Sequence, residues 1–323
     1  MHPRREPAVL VLTHWFDPTA DYVIHELNSR GTRVYRCDPG EFPKRLTLSA
    51  GHTPTGWAGT LHTPERSIRL EEITCAWYRR PTTFDMPEGM TQSMRSFALR
   101  EARMGLGGVL ATLPVWLNHP FDLARAEYKP HQLAVAARCG LAVPDTLITS
   151  DPDAARRFIA RHGRVVYKPF TQGAIAEGDT TGVIYATPVT AAQITDTIGL
   201  TAHTLQAQIP KAHELRITAV DDHLFAVRID ARSEQAHVDW RSDYANLAYT
   251  AVNDLSQDLA SGIKAMMDTH GLRFACMDFI VDPDGVHWFI DLNPNGQWAW
   301  LQDETDAPIA QAIADALTRG DQR

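Results

Sequence analysis

Apolar and polar positions change period along the chain, and the changes mark its elements. Residues 8–12 form a short apolar run, as expected of a strand buried on both faces. Asp17-Pro18 then places a capping acid and a first-turn proline ahead of a helical spacing at Val23, Ile24 and Leu27 that stops at Gly31. A second strand is expected over 32–37. This β-α-β opening has no Gly-x-Gly-x-x-Gly, which disfavours a dinucleotide site. Short antiparallel strands are expected over 46–70 and a buried strand over 73–78. The pattern over 88–113 is helical but interrupted by Gly105, Gly107 and Gly108.

A second region begins at Asp122. Lys129, Leu133, Ala136 and Ala137 give an amphipathic helix with a glycine stop at Gly140. A strand is entered at 144–148, and a helix capped at 150–153 runs to His162. Residues 164–170 are a β-branched strand with Lys168 in its interior, a place that calls for solvent, a carboxylate or a phosphate. Residues 171–182, rich in Gly, Thr and acids, read as a mobile loop without P-loop spacing. A short strand over 205–209 followed by Pro210 reads as a hinge. Residues 214–220 alternate polar and apolar, Asp221-Asp222 turns them, and 223–232 returns. There Arg228, Asp230 and Arg232 share a face that is most simply a salt-bridged surface. Residues 233–249 show no clear period. Leu255, Leu259, Ile263, Met266 and Met267 form the core stripe of a helix ending at Gly271, and a last amphipathic helix covers 306–317.

Residues 274–300 carry the candidate chemistry. Two alternating runs flank Asp-Pro-Asp-Gly at 282–285, a turn signal, so a β-hairpin is expected. With those four residues as the loop, Asp278 lies opposite Phe289. Met277, Phe279, Val281, Trp288, Ile290 and Leu292 then form an apolar face. Asp278, Asp291 and Asn293 share the other, with Asp278 and Asp291 as diagonal neighbours about 7–8 Å apart at Cα. Two carboxylates and an amide oxygen suit Mg²⁺, which takes oxygen ligands together with substrate phosphates. A solvated acidic face is the competing reading. The ending Asp-Leu-Asn-Pro-Asn-Gly-Gln favours the metal–phosphate site, because its oxygens alternate with an apolar residue and a proline closes the strand.

Composition narrows the classes. At 323 residues the chain is long for one core, and two domains or lobes are expected. A formal net charge of −8 argues against a nucleic-acid or anionic-membrane binder. Cys37, Cys75, Cys139 and Cys276 lie far apart with no C-x-x-C spacing, which argues against a disulfide framework or zinc site and fits a reducing cytoplasm. No signal-peptide core and no apolar run of membrane-span length is seen. Arg79-Arg80-Pro81 at a strand end could bind an anion, although an interdomain ion pair or a solvated one is the simpler reading.

The order of these features (lysine in a helix, lysine in a strand, hinge, Glu-x-Arg strand, Asp-x-Asn hairpin) resembles that of the ATP-grasp ligases. Longer strings resemble one branch of them, the ATP-grasp ribosomal peptide maturases or graspetide synthetases, relatives of the microviridin-type macrocyclising ligases. These are Leu12-Thr13 with Asp17-Pro18-Thr19-Ala20-Asp21, Trp77-Tyr78-Arg79-Arg80-Pro81, Tyr128-Lys129-Pro130 and Asn293-Pro294-Asn295-Gly296-Gln297-Trp298.

The resemblance implies an α+β chain. An α/β pre-ATP-grasp domain over 1–120 would precede an ATP-grasp domain over 121–323, with a small ATP-binding lobe at about 145–210 and a C-terminal lobe at 211–323. It implies that Lys129 and Lys168 contact ATP phosphates and that Gln206, Gln208 and Ile209 hold the adenine. Arg216 would stabilise the transferring phosphoryl group or the substrate carboxylate, and Asp278, Asp291 and Asn293 would bind Mg²⁺. Glu214 and Arg232 are candidates for the peptide's acidic side chain or for phosphate. The partner implied is a precursor peptide with a leader docking near 220–245 and a core rich in Thr/Ser and Asp/Glu; a homodimer is also implied. The second hairpin carboxylate is usually glutamate in ATP-grasp enzymes, and Asp291 is one methylene shorter. No dedicated general base is identified, and Asp230 and His237 are only guesses at one. A ligase joining an amino acid to a small-molecule or protein carboxylate, or a non-catalytic ATP-binding regulator, remains open at this point.

Overall fold

Backbone alternation and buried apolar runs build the described residues into five sheets. A computed structural model describes residues 7–171, 174–177, 180–233 and 240–319. β1 (Ala8–Thr13), buried throughout, leads into α1 (Pro18–Ser29), which Asp17 caps by accepting from the Ala20 N–H. β2 (Arg33–Cys37) follows, then an antiparallel meander of β3 (Thr47–Thr53), β4 (Gly56–His62) and β5 (Ser67–Arg69). β6 (Ile73–Arg80) pairs in parallel with β1, which also pairs in parallel with β2. α2 (Gln92–Leu110) is one unbroken helix despite its three expected interruptions. A glycine costs a helix only about 1 kcal/mol against alanine, and Leu106 and Leu110 anchor the helix in the same apolar cluster as Leu10 and Leu12.

α3 (Pro120–Ala126) and α4 (Lys129–Arg138) lead to β7 (Thr146–Thr149), α5 (Pro152–His162) and β8 (Val165–Lys168). The expected loop at 171–182 instead contains a small hairpin, β9 (Ala174–Glu177) with β10 (Thr180–Val183). β11 (Thr187–Val189) and β12 (His203–Ala207) complete an antiparallel sheet in the order β11-β8-β12-β7.

β13 (His213–Val220), β14 (His223–Ala231), β15 (Leu247–Val252), α6 (Gln257–His270), β16 (Phe274–Val281) and β17 (His287–Asn293) form the last lobe. Its sheet is antiparallel, in the order β15-β14-β13-β16-β17. β15 is an edge strand that begins at the end of the stretch that showed no period. α7 (Ala299–Thr305) precedes α8 (Ile309–Thr318), so the C-terminal helix expected over 306–317 has a shorter companion. One face of the sheet, with Leu215, Ile217, Met277, Phe279 and Leu292, packs on Ile263 and Met266 of α6 and Val135 of α4. Val220, Phe274 and Cys276 at its other end pack against α8 and against Cys75 and Trp77 of β6.

The hairpin register differs from expectation. Asp278 pairs directly with Asp291 and Cys276 with Asn293, and a bulge at Ile290 brings Phe279 opposite Phe289 and Val281 opposite His287. The Asp282 carboxylate accepts hydrogen bonds from the N–H groups of Asp284 (3.0 Å) and Val286 (2.9 Å) and from Trp288 Nε1 (2.8 Å). These bonds draw Val286 into the loop, which spans 282–286 rather than 282–285. The bulge turns Phe289 into the core, edge-on to Phe279 at 5.8 Å, and leaves Trp288 and Ile290 only half-buried. Among the described residues no helix is long and apolar enough to cross a membrane.

His270, at the end of α6, is fully buried, and neither ring nitrogen has a hydrogen-bond partner among the described residues. Burial, aided by His131, Arg125 and Arg138, pushes its pKa down to about 4. The unfolded imidazole protonates near its ordinary value of about 6.5, so only the unfolded chain takes up that proton between pH 6.5 and 4. This contribution to stability is therefore intact above pH 6.5 and falls as pH drops toward 4. Urea midpoints measured across that window should decline for the wild type and flatten in His270→Leu relative to it.

Candidate active site

A cleft of about 930 Å³ opens between the β11-β8-β12-β7 sheet and the last lobe. Lys168 from β8, Gln206 from β12 and the 207–210 segment line one wall; Asp278, Ile280, Asp291 and Asn293 line the other. Lys129 and Gln132 from α4 and Arg80 from the end of β6 complete it. The cleft face follows from the register, since directly opposed residues of paired strands project to the same side.

Direct opposition places the carboxylates of Asp278 and Asp291 close together, with Cα atoms about 4.5–5.5 Å apart by the usual geometry of antiparallel pairs. Each has its own cation. Arg216 Nη1 donates to Asp278 at 2.7 Å, and Lys129 Nζ donates to Asp291 at 3.0 Å. Burial opposes the charge of Arg216, but the attraction of Asp278 outweighs it and its pKa is raised. Arg216 also donates to the Gln297 carbonyl at 2.9 Å and lies 5.7 Å from the Trp240 ring. Lys168 Nζ reaches Gln206 Oε1 at 3.3 Å and the Ile290 carbonyl at 3.5 Å. Glu214, on the cleft wall, is paired with Lys211.

Most of the residues singled out from sequence thus meet in one place. Lys129, Lys168, Gln206, Gln208, Ile209, Glu214, Asp278, Asp291 and Asn293 line the cleft, with Arg216 paired to Asp278 on the adjoining strand. Arg232 is exposed and lies outside the lining, and Asp230 is bonded to Arg228 at 2.6 Å. His237 lies outside the described residues.

The comparisons place this architecture. The model of the MvdD pre-ATP-grasp domain matches residues 8–123. An RiPP-associated ATP-grasp ligase from Chryseobacterium gregarium, solved with ADP and a leader and core peptide, is 32% identical and superposes with a TM-score of 0.89 over 97% of each chain. This chain belongs to the RiPP-associated ATP-grasp ligases. The macrocyclase MdnC from Microcystis aeruginosa MRC, bound to its precursor peptide MdnA, is 28% identical, with a TM-score of 0.85 over 97% of this chain and 100% of that one. PsnB, solved with a minimal precursor variant, Mg and ADP, shares the fold at 22% identity, with a TM-score of 0.75 over 97% and 98% of the two chains. No curated protein matches the sequence. The protein is therefore an enzyme of the ATP-grasp ligase class, with an α+β fold that includes the pre-ATP-grasp domain.

The ligase's donor set fits a hard cation. Among the described residues no group of three or more His, Cys, Asp or Glu side chains forms a metal site. Two carboxylates and an amide oxygen on one face instead match Mg²⁺, which is commonly held by one or two carboxylates plus substrate phosphates.

Two supporting residues, Gln132 and Asn118, escaped sequence reading, while Arg79 and Thr19 stood in the strings quoted above. Gln132 is buried on α4 and clamps the backbone of Leu292, donating to its carbonyl at 2.8 Å and accepting from its N–H at 3.1 Å. Its position three residues after Lys129, on the same helix face, was the available signal. Asn118 donates to the carbonyls of Phe274 (2.8 Å) and Pro294 (3.0 Å). Arg79, also buried, donates to the Asn295 carbonyl and to Gln297 Oε1 at 2.6 Å, while Thr19 donates to the same Gln297 oxygen at 2.5 Å.

Burial lowers the Arg79 pKa to about 10, partly offset by Asp17, whose carboxylate is 3.8 Å away. Removing one member of such a buried set strands the others. Arg79→Met should lower unfolding free energy by about 3–5 kcal/mol, read by urea denaturation. Arg79→Lys should recover little, because a single ammonium cannot reproduce the planar fork that serves two acceptors.

Proposed function

We propose that this ligase phosphorylates Asp or Glu side-chain carboxylates of a ribosomally made precursor peptide with ATP. It then closes macrolactone rings with Ser or Thr, or macrolactam rings with Lys. The observation that carries this reading is the joint presentation of Asp278, Asp291 and Asn293 to the cleft, across from Lys168. The Chryseobacterium ligase solved with ADP and a leader and core peptide, and MdnC solved with its precursor peptide, support the peptide as substrate.

A carboxylate acylates poorly because oxide is a poor leaving group. In the first step a carboxylate oxygen attacks the γ-phosphorus, the bond to the β–γ bridging oxygen breaks, and ADP leaves. In the second, the hydroxyl oxygen or amine nitrogen attacks the acyl carbon, the bond to the phosphate oxygen breaks, and inorganic phosphate leaves as the nucleophile loses its proton. Positioning and charge neutralisation are the protein's main contributions. We assign Lys129 and Lys168 to the phosphates and Gln206, Gln208 and Ile209 to the adenine. Arg216 is assigned to the transferring group through its hold on Asp278, and Glu214 to the substrate side of the cleft. Arg232, beyond the cleft wall, would meet peptide outside the reacting centre. Asp278, Asp291 and Asn293 would hold Mg²⁺, which when bound offsets phosphate charge. The segment 171–182, part of which is described, would cover the reacting groups from water.

The same reading divides the chain near residue 120 and places leader docking at 220–245, part of which is described. Exposed Met94, Phe97 and Met104 on α2 support a homodimer. Free cysteines, three of them buried, fit a reducing cytoplasm.

Co-expression with short Thr/Ser- and Asp/Glu-rich peptides from neighbouring reading frames tests the reading by mass spectrometry. One water should be lost per ring. Lys168→Ala and Asp278→Asn should each reduce ring formation by at least about a hundredfold while circular dichroism stays that of the wild type. Full turnover in both variants would refute the site.

A further inference from the structure

The Arg79-Arg80 pair splits its work. Successive side chains of a strand point to opposite sides, and at the end of β6 Arg79 is buried in the seam with the last lobe while Arg80 faces the cleft. The backbone of Arg80 is fixed. It pairs with Thr13 of β1, and its carbonyl accepts from the His14 N–H at 3.1 Å. Arg79, bonded to Asn295, ties this strand end to the loop that begins at Asn293.

The neighbouring cations have partners: Arg216 holds Asp278, Lys129 holds Asp291, and Lys168 bonds Gln206. Among the described residues the half-buried Arg80 guanidinium makes no hydrogen bond or ion pair. Burial lowers its pKa, with Asp17 only partly opposing that. A cation stripped of water without a counter-ion is costly, and an incoming anion relieves that cost.

We propose that Arg80 is a substrate-binding residue whose guanidinium holds the peptide carboxylate that is to be phosphorylated. A guanidinium suits this task because its planar fork matches a carboxylate bidentately. Carboxylate is favoured over ATP phosphate by position. Lys168 and the 206–210 segment come from the β11-β8-β12-β7 sheet, whereas Arg80 comes from the end of β6, next to Arg79, which bonds Asn295 in the loop after Asn293. This inference rests on the function proposed above.

The test uses the full chain with ATP, Mg²⁺ and the peptide found by co-expression. Arg80→Gln should raise the peptide KM about ten- to a hundredfold and leave the ATP KM unchanged, with Arg80→Lys intermediate. Without ATP, wild type should bind the acidic peptide more tightly than its Asp→Asn or Glu→Gln counterpart, and Arg80→Gln should erase that preference. A rise in ATP KM instead, or a preference that survives the substitution, overturns the assignment. Ring formation by the wild type with unaltered Arg80→Gln kinetics sinks the Arg80 role alone. Failure of the wild type to close rings in any candidate peptide refutes the functional reading, and the Arg80 role with it. Matched thermal melts exclude misfolding, and Arg80→Lys serves in its place if Arg80→Gln does not fold.

Discussion

Two carboxylates directly opposed on paired strands repel one another, and the last lobe is arranged around that repulsion. Like charges at this position destabilise a sheet. Asp278 and Asp291 stay together because each has a separate cation, one from the adjoining strand and one from a helix of another part of the chain. The two pairs differ in kind. Arg216 is buried, bonds a backbone carbonyl as well as Asp278, and lies against an aromatic ring, so it is held in one place. Lys129 is a point charge on a flexible stem with a partly exposed partner, and it has more freedom to exchange partners.

The rest of the fold keeps this arrangement in register. Beyond the bond from the Gly296 N–H to the Asn293 carbonyl, side chains from elsewhere hold the loop after Asn293: Asn118 on the Pro294 carbonyl, Arg79 on that of Asn295, Arg216 on that of Gln297, and Thr19 with Arg79 on the Gln297 side chain. Gln132 holds the preceding strand residue on both its N–H and its carbonyl. Strings that stand far apart in sequence, at 12–21, 77–81 and 293–298, therefore share one buried network. Their likeness to a family pattern has a physical cause, because each is needed to satisfy the polar groups of the others.

Legibility in the sequence followed how local each signal was. Asp17-Pro18, the glycine stops and the strand periods are decided within a few residues, and the elements formed where they were expected. The hairpin's existence was legible for the same reason. Its register was not, because Asp282 adds a fifth residue to the loop through three side-chain bonds and the Ile290 bulge then restores Asp291 to the cleft face. Two local departures nearly cancel at the carboxylates, so they share a face as expected, although as direct rather than diagonal partners. Phe289 and Ile290, lying between the two departures, exchange roles. The edge strand β15 and the short helix α7 lack a period of their own and are defined by what packs on them, with Tyr249 and Trp300 ring centroids 4.8 Å apart.

Charge distribution in the cleft links these points to the chemistry. Its acids near the hairpin are already matched by internal cations, so the proposed substrates must arrive with their charges largely offset. ATP brings several negative charges and Mg²⁺ brings two positive ones, which makes nucleotide and metal natural joint occupants of a site with few cations free. In the proposed reaction Lys129 would contact phosphate, and Asp291 would be among the residues that hold Mg²⁺, which supplies positive charge when bound. Arg216 would remain on Asp278, since leaving would strand a buried charge. The peptide carboxylate is the one remaining anion, and it arrives where the Arg80 wall is uncompensated. Under that proposal nucleotide and peptide would be received by different parts of the chain, and Arg79 ties the Arg80 strand end to the loop after Asn293.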